Sequence, residues 1–131
     1  MDALINTLQA ALAGHVKFAL VYGSVLTKYF NRESDLDVAV FLGRKLSWQE
    51  HAAWPAQISA GLDHAHEVDL VVLDTADPII AMQILANGKL IYVADRAAYL
   101  AYKVKMISQY LDFKYDRKII EDRMAAGSIY A

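Results

Sequence analysis

Three acids and a serine stand at a spacing suited to phosphoryl transfer. Ser24 is separated by ten residues from Asp35-Leu36-Asp37, and Asp69 lies inside the later run Glu67-Val68-Asp69-Leu70-Val71-Val72. Acids two apart in a strand project on one side, about 7 Å from each other, and a neighbouring strand about 4.8 Å away lets a third join them. Asp69 is the most telling of the three, because a lone acid buried between valines and leucines is costly without a partner. Converging carboxylates raise each other's pKa unless a cation is supplied. Magnesium is the natural one, since it takes hard oxygen ligands, keeps several waters and completes its octahedron with substrate phosphates. Two such ions about 3.5 to 4 Å apart clamp an in-line displacement. In that scheme Asp35 and Asp37 bridge the ions, and Asp69 ligates the one nearer the attacking hydroxyl.

Gly23-Ser24 supplies the other half of such a site. A glycine after a strand lets backbone approach a phosphate closely, and the amides of a following helical turn, with the Ser24 hydroxyl, hold it. Lys28 and Arg32 are near enough in sequence to add charge-assisted contacts, and Ser34 to brace the loop before Asp35.

The elements that must position these residues are legible in the hydrophobic pattern. Leu4, Ile5, Leu8 and Leu12 have helical spacing, with Gly14 as a left-handed stop. The run 16–22 reads as a buried strand, and 25–30 as one or two helical turns. In the strand expected over 35–42, Leu36, Val38, Val40 and Leu42 share one face, and Asp35 and Asp37 the other. Ser47 with Glu50 is a capping-box signature for a helix toward Leu62, which Pro55 would kink or restart. A third strand spans 68–73. Asp77-Pro78 starts another helix, Asn87-Gly88 ends it, and 89–93 forms a short strand or crosses the surface. From Asp95 to about Ala126 runs a long helix with two apolar stripes: Tyr99, Tyr102, Met106, Tyr110 and Phe113, and beside it Leu100, Val104, Ile107 and Leu111. Strands alternating with helices make an α/β (α+β) domain with a small mixed sheet the economical architecture.

A chain of 131 residues, 56% hydrophobic and 21% charged, suits one folded domain. We read 1–94 as the catalytic core and 95–131 as a helical tail for partner docking. With no cysteine, disulfide scaffolds and thiolate metal sites are excluded, and a reducing cytosol suits the chain. No basic run precedes Lys17, as a secretory signal would require, and no apolar stretch approaches the ~20 residues of a membrane span. A net charge of −2 gives no global attraction to nucleic acid, so direct nucleic-acid binding is not expected.

The string Gly-Ser, ten residues, Asp-x-Asp and a distant third acid resembles the active-site signature of the DNA polymerase β-like nucleotidyltransferase superfamily. The small size, the order of elements and the helical tail look like the minimal nucleotidyltransferases of the MntA type, antitoxins encoded beside HEPN-domain ribonuclease toxins. The segment 25–30 departs from the small, Gly- and Arg-containing run common in the superfamily. The resemblance implies a magnesium-dependent enzyme that transfers AMP from ATP to a tyrosine hydroxyl of its partner HEPN toxin and so silences it.

Two other functions fit the same residues: a non-catalytic antitoxin that neutralises its toxin by occlusion, and transfer to a small molecule of the aminoglycoside type. So short a chain leaves no separate acceptor domain for the latter. His64 and His66 form a weak metal-pair candidate, since further ligands are not placed. Trp48 and Trp54 read as helix-face packing. Six of the eight tyrosines (Tyr92, Tyr99, Tyr102, Tyr110, Tyr115, Tyr130) fall in the last forty residues, and tyrosine suits surfaces where one end is apolar and the other wet. The basic residues there are mixed with acids, as in a protein-docking helix.

Overall fold

The structure is a computed structural model describing residues 2–126, and among these four strands and four α-helices form the fold; Tyr130 lies outside the described residues. Helix α1 (Asp2–Leu12) is amphipathic, burying Leu8 and Leu12, and Gly14 takes the expected positive φ of 80°. Strand β1 (Phe18–Tyr22) pairs antiparallel with β2 (Leu36–Phe41) and on its other side with β4 (Lys89–Val93). Strand β3 (Val68–Val72) pairs parallel with β2, so the order is β3–β2–β1–β4 and β3 is an edge. Parallel neighbours need a crossover, and α2 (Trp48–Gly61) provides it.

The capping box at the start of α2 is complete: the Ser47 hydroxyl accepts from the Glu50 amide, and the Glu50 carboxylate accepts from the Ser47 amide. Pro55 sits inside α2 without dividing it. Asp77 caps α3 (Pro78–Asn87), its carboxylate accepting from the Ile79 amide, with Pro78 in the first turn. Asp95 likewise caps α4 (Arg96–Ala125) through the Ala98 amide.

The period of two in the strands sorts the core into two layers. Leu36, Val38, Val40, Ala19 and Val21 face α1 and α2, meeting Leu8, Leu12, Ile58 and Leu62. Phe18, Leu20 and Ala39 face α3 and α4, meeting Ala81, Ile84, Leu85, Tyr102 and Met106. Phe18 stacks on Phe41 at 5.1 Å, and Tyr102 leans on Phe41 at 5.0 Å while its hydroxyl donates to the Leu73 carbonyl at 2.8 Å. Asp74 ties the far end of β2, its carboxylate accepting from the amides of Leu42 (2.9 Å) and Gly43 (2.8 Å).

Among the described residues, the chain itself covers only the N-terminal part of the first stripe on α4. Tyr102 and Met106 are buried, whereas Val104 is 65% and Leu111 57% exposed, and beyond Met106 no described residue is buried. The outer half of a thirty-residue helix therefore carries Ile107, Leu111, Phe113, Tyr115, Ile120 and Met124 exposed to solvent. Among the described residues, no helix is long and apolar enough to cross a membrane.

Candidate active site

The register of the sheet assembles the acids. Tyr22 on β1 pairs with Asp37 on β2, which pairs with Asp69 on β3. Register partners point to the same face, so the three side chains form a row across three strands. The parallel rows Leu20–Ala39–Val71 and Phe18–Phe41 continue that face into the core beneath α3 and α4. The acid row is the layer where that apolar face ends. Asp35 stands immediately before β2, exposed, one alternation beyond Asp37.

Electrostatics report the crowding. Burial, then the charges of Asp69 and Asp35, hold the Asp37 carboxyl above the usual carboxylate range, with the Asp69 carboxylate within hydrogen-bonding reach of it. Burial followed by the charges of Asp37 and Asp69 pushes the Tyr22 phenol up to about 12. The charges felt at Asp37 are all negative, which is the environment a cation relieves.

Gly23 makes the close approach possible. Its φ is +75°, and a Cβ built on it would overlap the Asp37 carboxylate oxygen Oδ2. Glycine is thus required twice at this position, for the left-handed backbone and for the carboxylate against it. Ser24 follows in a 3-10 turn over Gly23–Leu26, shorter than the one or two helical turns expected over 25–30. The turn closes early because both the amide and the hydroxyl of Thr27 donate to the Ser24 carbonyl, at 2.9 and 2.8 Å.

From there to Asp35 the loop is held by its own polar groups. The Asn31 amide donates to the Ser34 hydroxyl at 3.1 Å, and the Asn31 side-chain oxygen accepts from the Glu33 amide at 2.8 Å. Ser34 thus ties the end of the loop to Asn31. Lys28 and Arg32 are exposed in it, with the Lys28 ammonium 5.4 Å from the centre of the Tyr29 ring. Neither cation is among the charges acting on Asp37.

Two expectations change. Asp69 is exposed, where the apolar run around it suggested burial. The reason is topological: β3 is an edge strand, and the acid face is uncovered at its start. Nor, among the described residues, do three acidic or histidine side chains stand close enough to cage an ion by themselves. Magnesium does not require that, because it is commonly held by one or two carboxylates, with waters and substrate phosphates completing the shell. The paired Asp37 and Asp69, with their all-negative surroundings, fit that donor chemistry.

His66 is the residue whose role sequence reasoning missed. Its Nδ1 lies 2.8 Å from the Ser34 carbonyl oxygen, and its ring stacks on Phe30 at 4.7 Å. It is half-buried and belongs to the loop architecture, while His64 is exposed beside it. The available signal was position, since His66 precedes β3 as Ser34 precedes β2. A cavity of about 470 Å³ opens between α1 and α2, lined by His15, Arg44 and Trp54 among others, on the opposite face of the sheet. It shares no residue with the acid row.

Comparison with known proteins agrees with this geometry. Residues 4–97 match the family profile described as polymerase beta, nucleotidyltransferase. The protein adenylyltransferase MntA of Shewanella oneidensis is 31% identical over 112 residues, covering 83% of this chain and 78% of that protein. A crystal structure of a toxin–antitoxin with AMP-PNP superposes with a TM-score of 0.74 at 25% identity, covering 92% of this chain and 97% of that one. The tri-AMPylated Shewanella oneidensis HEPN toxin in complex with MNT antitoxin contains a chain matched with a TM-score of 0.66 at 24% identity, covering 94% of this chain and 93% of that one. The row of acids beside Gly23-Ser24, the mixed four-stranded sheet and these similarities place the chain in the polymerase β nucleotidyltransferase family, as an enzyme of the MntA type.

Proposed function

We propose that this protein is an antitoxin that transfers AMP from ATP to a tyrosine hydroxyl of a cognate HEPN ribonuclease toxin. The observation that carries the reading is the acid row, with Asp37 and Asp69 in register on adjacent parallel strands and Asp35 acting on Asp37 beside a glycine-serine turn. The likeness to a protein adenylyltransferase, and to the antitoxin chain beside an AMPylated HEPN toxin, supports the choice of nucleotide and acceptor.

Asp35, Asp37 and Asp69 would hold magnesium, two ions in the full complement. When bound, the metal supplies Lewis-acid neutralisation of the phosphates and lowers the cost of deprotonating the acceptor. Gly23 and Ser24 offer backbone and a hydroxyl to the phosphates, with Lys28 and Arg32 as cations on the same loop and Ser34 stiffening it. The acceptor oxygen bonds to the α-phosphorus, the bond to the bridging oxygen breaks, pyrophosphate leaves, and the phenolic proton passes to solvent. Asp69, exposed on the edge strand, stands on the side from which another protein's hydroxyl arrives and aids that proton loss. We assign 1–94 to catalysis and 95–131 to docking of the toxin, with the whole working in the cytoplasm.

A second reading, neutralisation by occlusion alone, is favoured by one observation: the exposed apolar outer half of α4 suits a protein partner without any chemistry. Intact-mass analysis of the toxin after incubation with ATP and magnesium separates the two. Under the first reading the toxin gains AMP, and Asp35→Asn with Asp37→Asn abolishes both the gain and the protection. Protection that persists in that double variant establishes occlusion.

A further inference from the structure

The acid row needs its loop held still, and the holding point lies outside the motif. Asp35 is the first residue after the loop 27–34, and nothing of its own strand precedes it. The backbone immediately before it, the Ser34 carbonyl, is bonded to His66 Nδ1 at 2.8 Å. The same ring lies against Phe30 at 4.7 Å and an interplanar angle of 30°, so one side chain grips the loop at two points. His66 is itself anchored: its carbonyl accepts from the Ser59 hydroxyl of α2 at 2.8 Å, and next to it the Glu67 carbonyl accepts from the Leu36 amide at 2.8 Å. Asp69, in β3, lies three residues after His66.

A carbonyl only accepts, so Nδ1 must carry the hydrogen, and the neutral ring is the Nδ1–H tautomer. We propose that His66 is a positioning residue for AMP transfer: by donating Nδ1–H to the Ser34 carbonyl and stacking on Phe30, it fixes the loop end carrying Asp35 relative to the strand carrying Asp69. It touches neither nucleotide nor acceptor, and its effect reaches the reaction through the separation of two acids on different strands. This rests on the reading of those acids as the catalytic centre. Misplacing a reacting group by about 1 Å costs up to about 10²-fold in rate.

The test compares His66→Ala, His66→Asn and His66→Gln in the full-length protein. The asparagine amide places an N–H near the position of Nδ1, whereas glutamine places one near Nε2. We expect His66→Ala to lower kcat for AMP transfer to the HEPN toxin by about 10- to 100-fold, with a smaller change in the KM for ATP. His66→Asn should recover most of the loss and His66→Gln should not. Unchanged kcat in His66→Ala, or equal recovery by the two amides, overturns the proposal. Two readouts are independent of activity and of how the variants fold. In the wild-type protein, nitrogen-15 NMR should find the neutral His66 ring protonated at Nδ1, and hydrogen exchange should find the Leu36 amide protected; an Nε2–H ring overturns the assignment. If the wild-type protein transfers no AMP while the ring is Nδ1-protonated, the failure belongs to the proposed function and not to the positioning contact.

Discussion

Replacing Asp69 by asparagine separates an acid that waits for a cation from one that holds the fold. Asp37 and Asp69 are register partners on adjacent strands, whose backbones run about 4.8 Å apart. Two like charges at that spacing repel by roughly 1 kcal/mol in bulk water and roughly 3.5 kcal/mol at an effective dielectric of about 20. Asp69 is exposed and Asp37 only half-buried, so the pair sits near the watery limit, at about 1 kcal/mol before salt screening. For a domain of this size that corresponds to a rise of roughly 3 to 5 °C in melting temperature. We therefore expect metal-free Asp69→Asn, at neutral pH and low salt, to melt slightly above the wild type.

The pH dependence has a definite sign. Asp37 is raised above its unfolded value, so the stability it contributes is complete below the unfolded pKa, near 4, and is lost as pH rises through the folded one. The advantage of Asp69→Asn is then largest at neutral pH and shrinks toward zero as pH falls to about 4. Adding magnesium and a non-hydrolysable ATP analogue should stabilise the wild type by linkage and leave the variant almost unmoved. Circular-dichroism melts with and without chelator measure all three quantities. A metal-free Asp69→Asn that melts clearly below the wild type at neutral pH would refute the reasoning, because Asp69 would then be holding a contact.

Three further outcomes follow from the same geometry. Gly23→Ala forces a side chain into a left-handed backbone, at about 1 to 2 kcal/mol, and into the Asp37 carboxylate, so calorimetry should show that loss and AMP transfer should nearly vanish. Tyr102→Phe removes one of two donors from the Leu73 carbonyl, which keeps the Ala76 amide, and should cost about 0.5 to 1.5 kcal/mol by urea unfolding, with kcat unchanged because the hydroxyl lies in the core and away from the acid row. Val104→Glu with Leu111→Glu, both on exposed positions of α4, should leave the melting temperature nearly unaltered while weakening toxin binding; in kinetics this is a raised KM for the toxin at constant kcat.

Much of the fold could be read from the residues because local and tertiary preferences agree. The capping box at Ser47, the Asp77-Pro78 start and the Asp95 cap all appear where side-chain chemistry demands them. Alternation in 36–42 gave the right faces, and with them the side on which Asp37 lies. What could not be read was whatever depends on strand order. The exposure of Asp69 follows from β3 being an edge, and nothing in Glu67-Val68-Asp69-Leu70 distinguishes an edge strand from a central one. The grip of His66 on Ser34 joins residues 32 apart that meet only because β2 and β3 run parallel and begin side by side. The early end of the turn after Ser24 depends on the Thr27 hydroxyl competing for the carbonyl that a longer helix would have used.

The same edge that exposes Asp69 bears on the acceptor. Helices α3 and α4 cover the acid face over its apolar rows, from Phe18 and Phe41 to Leu20 and Ala39, with Tyr22 packed at the margin of that layer, while Asp37 is half-buried and Asp69 exposed. An enzyme acting on a small molecule must enclose it, since binding surface has to come from the protein's own walls. A macromolecular acceptor brings its walls with it, and an open row is then sufficient. The other requirement is a place to hold that acceptor, and the outer half of α4 offers exposed leucine, isoleucine and phenylalanine that the fold of this chain leaves uncovered. Grip and chemistry are thus carried by different elements, α4 for one and the β2–β3 row for the other. On this division a partner can be tethered by α4 while its modified segment reaches the acids, and loss of either element fails in a different kinetic constant.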